Sequence, residues 1–270
     1  MREAPRLGQP VVEQTLEQTL SALESAENYR RWIFDLAEPF LEGPVLEVGA
    51  GRGTYTDLLA TKGPVTALEP SELLASLLAR QYDGRPDVHV VVGTIETLPP
   101  RAAFGSAVMF NVLEHIDDDA GALRGVHQRL APGGTLTLWV PAFELLYSRF
   151  DELLGHCRRY RLRGLVDLVC DASFQVLDAR YVNAAGWFGW LLAARVLNRV
   201  PTSPRTVATF DRVAVPLTRA VERRVVPPFG QSIFLAARKP LTAAREPRSA
   251  EREAAPDRAG KMAQDAEHGA

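Results

Sequence analysis

Val45-Leu46-Glu47-Val48-Gly49-Ala50-Gly51-Arg52-Gly53-Thr54-Tyr55-Thr56 decides the fold of this 270-residue chain. An apolar run carrying one acid opens into glycines at three alternate positions. The run reads as a buried parallel strand, and the glycines as the turn from that strand into a helix. Glycine belongs where the backbone takes positive φ or must approach a ligand, because a Cβ would clash there. The spacing narrows the ligand. A dinucleotide fingerprint places its third glycine three residues after the second. Thr54 stands at that position, and the third glycine is Gly53.

The downstream sequence repeats the strand-then-turn pattern. Pro64-Val65-Thr66-Ala67-Leu68-Glu69 reads as a second strand, ending in an acid about twenty residues past the first turn, where doubly wound folds hold a ribose diol. Glu69 can equally be the first polar residue beyond a buried strand. Val88 to Val92 reads as a third strand, followed by Gly93-Thr94-Ile95-Glu96. Ala107 to Ile116 contains a fourth. Leu130 to Pro141 reads as a helix end, a Pro-Gly-Gly turn and a fifth strand. From Gly43 to Pro141 strands and helices alternate, which predicts an α/β fold with a parallel sheet and right-handed crossovers. A helix over 161–172 and a sixth strand from Phe174 to Tyr181 follow, and Gly230 to Arg238 reads as the last strand.

The Glu-x-Gly-x-Gly-x-Gly run and the three motifs behind it resemble the class I S-adenosylmethionine-dependent methyltransferases. The resemblance implies a Rossmann-like, seven-stranded, mostly parallel sheet with helices on both faces. It also implies an antiparallel last strand inserted between the fifth and sixth. S-adenosyl-L-methionine is the implied cofactor, with Glu47, Gly49, Gly51, Gly53, Glu69, Pro70, Thr94, Ile95 and Asn111 as its candidate contacts. The glycines would let the backbone approach the methionine moiety, and Glu69 would hold the ribose. The Asn111 region would lie under the methionine amine through backbone oxygen. The family usually carries an acid near Thr94, close to the adenine amino group. This chain has none there, which leaves backbone groups, Ile95 packing or Glu96.

A second constellation, Tyr147-Ser148-Arg149-Phe150-Asp151 and then Gly155-His156-Cys157-Arg158-Arg159-Tyr160, follows the fifth strand. It therefore lies beyond the carboxyl edge of the sheet, where open α/β folds place ligands. A similar Ser-x-x-Asp…Gly-His-x-Arg-Arg-Tyr arrangement occurs in a bacterial subgroup of the same methyltransferases, often with an aromatic where Cys157 stands. His156 is the first candidate for taking a proton from a hydroxyl or amine nucleophile. His115 is the second, placed with Glu114 at the cleft entrance; it can instead be a helix-start residue before Asp117-Asp118-Asp119. Arg158 and Arg159 suit a substrate carboxylate or phosphate, or an internal latch with Asp151. Tyr147, Asp151, Arg158, Arg159, Tyr160, Asn183 and Trp187 are the candidate substrate contacts.

The chain divides into N-terminal helices (1–42, Val11 to Ala26 and Tyr29 to Leu41), a cofactor-binding core (43–182), a helical insertion or lid (183–229), the last core strand (230–238) and a tail (239–270). The resemblance places the first helices over the cofactor mouth; packing against the sheet edge accounts for their apolar spacing equally well. The tail is Ala-, Arg-, Glu- and Pro-rich and reads as disordered, since it cannot bury enough surface to offset its ordering entropy. In the insertion, Trp187 to Leu197 form one apolar helix face, and a second helix runs from about Val207 to Val225. Long insertions tend to be lids or binding elements. An apolar substrate pocket ranks ahead of a peripheral membrane patch, and a simple capping hairpin competes with both.

Lys and Arg number 31 against 33 Asp and Glu, a net charge of −2, which argues against a nucleic-acid partner. Cys157 and Cys170 make no disulfide framework, so a reduced, cytoplasmic setting is expected. Neither shows metal-ligand spacing, and no metal is expected. Met1 to Val12 lacks the apolar core of a signal peptide. The apolar run Ala184 to Ala194 is well short of the roughly twenty residues that span a bilayer. Oligomeric state is not legible. The expected function is methyl transfer from S-adenosylmethionine to oxygen or nitrogen of a small molecule, a secondary metabolite or a glycosylated acceptor. The alternatives are non-methylating chemistry on the same fold, or a binding protein associated with a membrane or a glycosyltransferase.

Overall fold

Seven strands form one sheet in the order β3-β2-β1-β4-β5-β7-β6. They are β1 Val45–Val48, β2 Val65–Glu69, β3 Val88–Val92, β4 Phe104–Phe110, β5 Leu130–Pro141, β6 Gln175–Val182 and β7 Ser232–Arg238. The computed structural model describes residues 26–101, 104–192 and 204–241. β1 to β5 pair in parallel. β7 runs antiparallel between β5 and β6, as the resemblance implied.

The apolar runs are continuous because helices cover both faces of the sheet. Successive side chains alternate between two cores. Leu46, Met109, Leu138 and Leu235 enter one, and Val45, Val108, Trp139 and Phe234 the other. The second core also receives Trp32, Ile33, Phe34 and Ala37 from the helix α1, Glu27–Ala37. This helix stops earlier than its apolar spacing predicts and tightens into a 3₁₀ turn, Glu38–Phe40. Pro39 has no N–H to continue the ladder. The predicted helix before it lies outside the described residues, as does the tail beyond Leu241.

β5 differs from expectation in one respect. It starts at Leu130, and Ala131 to Gly134 bulge out between the pairs Phe104–Leu130 and Ser106–Thr135. Gly133 takes φ +82° there.

The insertion is helical where described: α7 Ala184–Trp190, then Pro204–Thr209, a π turn at Phe210–Ala214, and α9 Val215–Glu222. It is stitched to both neighbours. Asp211 accepts the backbone N–H groups of Asn28 and Tyr29 and so caps α1. Glu222 accepts those of Asn183 and Ala184 and caps α7. Arg219 pairs with Asp35 of α1. Among the described residues no helix is long and apolar enough to cross a membrane.

Candidate active site

The glycine turn leaves the carboxyl end of β1, the central strand from which the sheet grows in both directions. In open α/β sheets that reversal of strand order opens a crevice. Gly49, Gly51 and Gly53 have φ of +69°, +58° and +82°, which favours glycine throughout. Their surroundings differ. A Cβ on Gly49 would come 2.6 Å from Val112, and one on Gly53 2.6 Å from Leu78, whereas one on Gly51 would meet nothing within 4 Å. Gly49 and Gly53 thus permit close packing of the protein on itself. Gly51 borders open space.

The carboxylate of Glu69, at the end of β2, accepts the Gly51 N–H (2.8 Å) on one oxygen and the Ser71 N–H (2.9 Å) on the other. Each oxygen keeps lone-pair capacity for a further donor, which suits a ribose diol. Exposed Pro70 adjoins it. The N–H of Gly93 bonds to the Glu69 carbonyl at 2.9 Å, bringing Thr94 and Ile95 beside the same corner. Thr94 donates to Glu96 at 2.5 Å, and Ile95 is buried. On the other flank Asn111, at φ +53°, donates its N–H to the Trp139 carbonyl at 2.8 Å. Positive φ is uncommon for a residue other than glycine; here it turns the chain sharply at the end of β4. The cradle at Gly51, the acceptors on Glu69 and the turn at Asn111 fit S-adenosylmethionine.

Glu47 lies under this turn. It is buried, accepts the Thr56 hydroxyl at 2.6 Å, and burial pushes its pKa up to about 8. An unfolded glutamate releases its proton near 4.5. Between these values the native state holds one proton more than the unfolded state, so stability falls as pH rises. Glu47→Gln, neutral at every pH, is expected to raise the melting temperature relative to the wild type at pH 8.5 and to lose that advantage near pH 4.5. Equal shifts at the two pH values would refute a protonated Glu47.

The second constellation is organised by Asp151, in the short helix α5 (Arg149–Leu154). Its carboxylate has no solvent exposure. It takes bonds from His156 Nδ1 (2.9 Å), Arg159 Nε (2.8 Å) and Nη2 (3.1 Å), and the Ser148 N–H (2.9 Å) and hydroxyl (3.0 Å). Burial alone would raise its pKa, but the bonds from His156 and Arg159 and the Arg159 charge hold it below the usual carboxylate value. Tyr147 donates to the His156 carbonyl, and the Cys157 N–H to the Glu114 carbonyl, each at 2.8 Å. Arg158 pairs with Asp119 at 2.6 Å, and Tyr160 donates to the same carboxylate at 2.9 Å. Asn183, also buried, accepts from Gly186 N–H and donates to Gln231.

The expected substrate contacts are thereby sorted. Asp151, Arg159, Tyr160 and Asn183 are buried and bonded within the protein. Tyr147, Arg158 and Trp187 remain partly open. The structure also corrects the position expected for Glu114. It is fully buried, beneath the cleft entrance and not at it, and among the described residues neither of its oxygens has a hydrogen-bond partner. Burial pushes its pKa up to about 8.

The His115 ring meets that of His156 edge-on at 4.7 Å. Desolvation, and then the neighbouring His156 imidazole, push its pKa down to about 4. Sequence reasoning read Asp119 only as part of an acidic helix start and missed Asp211; each acts through contacts that only folding creates, Asp119 with Arg158 and Tyr160 and Asp211 with the start of α1. A cavity of about 300 Å³ between Trp32, Leu36, Tyr181 and Arg219 lies at the β6 end, apart from the glycine turn.

Residues 22–179 match the family model described as a methyltransferase domain. A Mycolicibacterium smegmatis protein described as a probable S-adenosylmethionine-dependent methyltransferase is 30% identical over 138 residues, covering 50% of this chain and 52% of that protein. The ubiquinone biosynthesis O-methyltransferase of Paracidovorax citrulli is 31% identical over 134 residues, covering 46% and 56%. The chain therefore spans about half the length of the curated relatives it matches. The crystal structure of the (4+2)-cyclase SpnF has the same fold, with a TM-score of 0.54 and 21% identity over 79% of this chain and 81% of that one. The family match covers more than half of the chain and includes the glycine turn with its acidic partner. The chain belongs to the methyltransferase-domain family.

Proposed function

We propose that this enzyme methylates a hydroxyl or amine of a small-molecule acceptor, a secondary metabolite or a glycosylated compound, with His156 as the proton acceptor. The observation that carries the reading is the Asp151–His156 bond at 2.9 Å. A ring that gives its Nδ1 proton to a carboxylate keeps Nε2 free as a base. S-adenosylmethionine brings an already activated methyl group, so the chain has only to position the acceptor, exclude water and receive its proton. Tyr147, Arg158 and Trp187 are the side chains available to the acceptor. The O-methyltransferase relative supports an oxygen acceptor. The likeness to a cyclase keeps non-methylating chemistry as the competing outcome.

Incubation with S-adenosylmethionine and a panel of phenols, alcohols and amines tests this. Release of S-adenosylhomocysteine with a product heavier by one methylene supports it; a product of unchanged mass identifies cyclisation or isomerisation. His156→Ala is expected to lower turnover by about 10²–10⁴ with cofactor affinity unaltered. Undiminished turnover would move the role to His115 or to solvent.

One feature favours an additional, peripheral role at an anionic membrane. Val213, Leu217, Val221 and Val225 recur every four residues and are all more than half exposed, with exposed Arg212, Arg223 and Arg224 beside them. Such a face suits the interface of acidic lipid. Sedimentation with phosphatidylserine vesicles tests it. Binding that survives Leu217→Asp/Val221→Asp, or no binding by the wild type, removes this role.

A further inference from the structure

We propose that Glu114, His115 and His156 bind one divalent transition-metal ion of the zinc or manganese class. A carboxylate oxygen and one nitrogen from each ring all lie within 4.8 Å of one another. An ion with ligands at about 2.0–2.2 Å would draw them to roughly 3–3.5 Å apart, which small side-chain rotations supply. Two imidazoles and one carboxylate form a set that zinc and other first-row ions accept, and one that leaves coordination positions open.

Two features beyond the cluster point to an ion. First, Glu114 is fully buried with both oxygens unpartnered among the described residues. A buried polar group without a partner is costly and uncommon, and a cation at the two rings would be the partner it lacks. Second, the His156 ring is already held: it gives Nδ1 to Asp151, which Arg159 and Ser148 hold in turn. Metal-bound histidines are characteristically fixed in this way through the nitrogen that does not bind the ion. The cysteines, whose spacing offered no ligand set, take no part. His156 lies forty-one residues beyond His115 (156 − 115 = 41), so only the folded loop brings the set together.

Occupancy would reassign His156, because one Nε2 cannot be ligand and free base at once. An acceptor hydroxyl bound at an open position would lose its proton to water through its attraction to the ion. That consequence rests on the proposed hydroxyl acceptor; the binding site itself does not.

The test uses the full chain, stripped with EDTA and dialysed. Titration with Co²⁺ is followed by visible absorption, and Zn²⁺ or Mn²⁺ retained after gel filtration is counted by elemental analysis. The proposal expects one ion per chain, a visible cobalt band, and at least ten-fold weaker binding in His156→Ala and in Glu114→Gln, with His127→Ala unchanged. Circular dichroism and titration with S-adenosylmethionine on the same stripped samples establish that each variant is folded, and report on the cofactor reading separately from the metal. No stoichiometric ion in the wild type, or equal binding in folded His156→Ala, would overturn the site.

Discussion

Gly51→Val is expected to abolish S-adenosylmethionine binding while the fold survives. The expectation comes from the contrast among the three glycines of the turn. At Gly49 and Gly53 an added Cβ would strike Val112 or Leu78 at 2.6 Å, so substitution there damages packing whether or not a ligand is present. At Gly51 an added Cβ meets nothing within 4 Å. The cost in the free protein is chiefly the left-handed backbone, about 1–2 kcal/mol, or a few degrees in melting temperature for a domain of this size. The isopropyl group, however, occupies the space that the cofactor needs. Titration calorimetry should show affinity weaker by more than about 100-fold, equivalent to roughly 2.7 kcal/mol, with a far-UV spectrum close to the wild type. Gly51→Ala should lie between the two. Retained affinity in Gly51→Val would mean that the cofactor lies elsewhere.

Asp151→Ala should have the largest effect on stability. The change strips the counter-charge from Arg159, whose side chain is 3% exposed, and the acceptor from His156 and Ser148. Removing one partner of a buried ion pair typically costs 3–5 kcal/mol, which here corresponds to a melting temperature lower by about 10 °C. The pH dependence has a definite sign. Asp151 is held below 3.8, its ordinary value, so its contribution is fully present above that pH and is lost as pH falls through the folded value. The wild type should lose stability in that acid window, and Asp151→Ala should lack this part of the transition. Asp151→Asn, which keeps the shape, should recover some stability but little turnover, because the amide brings no charge to Arg159 or His156 and its nitrogen cannot accept from Ser148 or Arg159 Nη2. If Asp151→Ala melts with the wild type, the latch does not hold the loop.

The strands and the glycine turn were legible because their determinants are local. Alternating glycines, an acid closing β2 and uninterrupted β-branched runs in strands covered on both faces mark the sequence wherever they occur. The helix ends were less legible, since Pro39 and the bulge at Gly133 shift boundaries by a few residues. The loop around His156 could be read only as a set of residue types. Whether Asp151 faces Arg159 or a substrate depends on burial, and nothing in the Ser-x-x-Asp…Gly-His-x-Arg-Arg-Tyr spacing encodes burial. Glu114 shows the same limit. Beside His115 in a sequence it looks like a polar residue at a cleft, and the fold places it under the surface with no hydrogen-bond partner among the described residues.

The position of β7 bears on how the protein is made. Among the described residues β6 joins the sheet only through β7, and β7 is the last of the seven strands to be synthesised. Leu138 must wait for Leu235, its partner across the strands, through ninety-seven further residues (235 − 138 = 97). At about 5–20 residues per second this is roughly 5–20 seconds on the ribosome. For that interval the edge of β5, from Leu136 to Val140, has no neighbour on one side, although the finished sheet buries it completely. An apolar strand with an open edge invites pairing with the wrong chain. The nascent polypeptide is therefore most exposed to aggregation between the completion of β5 and the emergence of β7, and chaperone shielding in that window should govern the yield of folded protein.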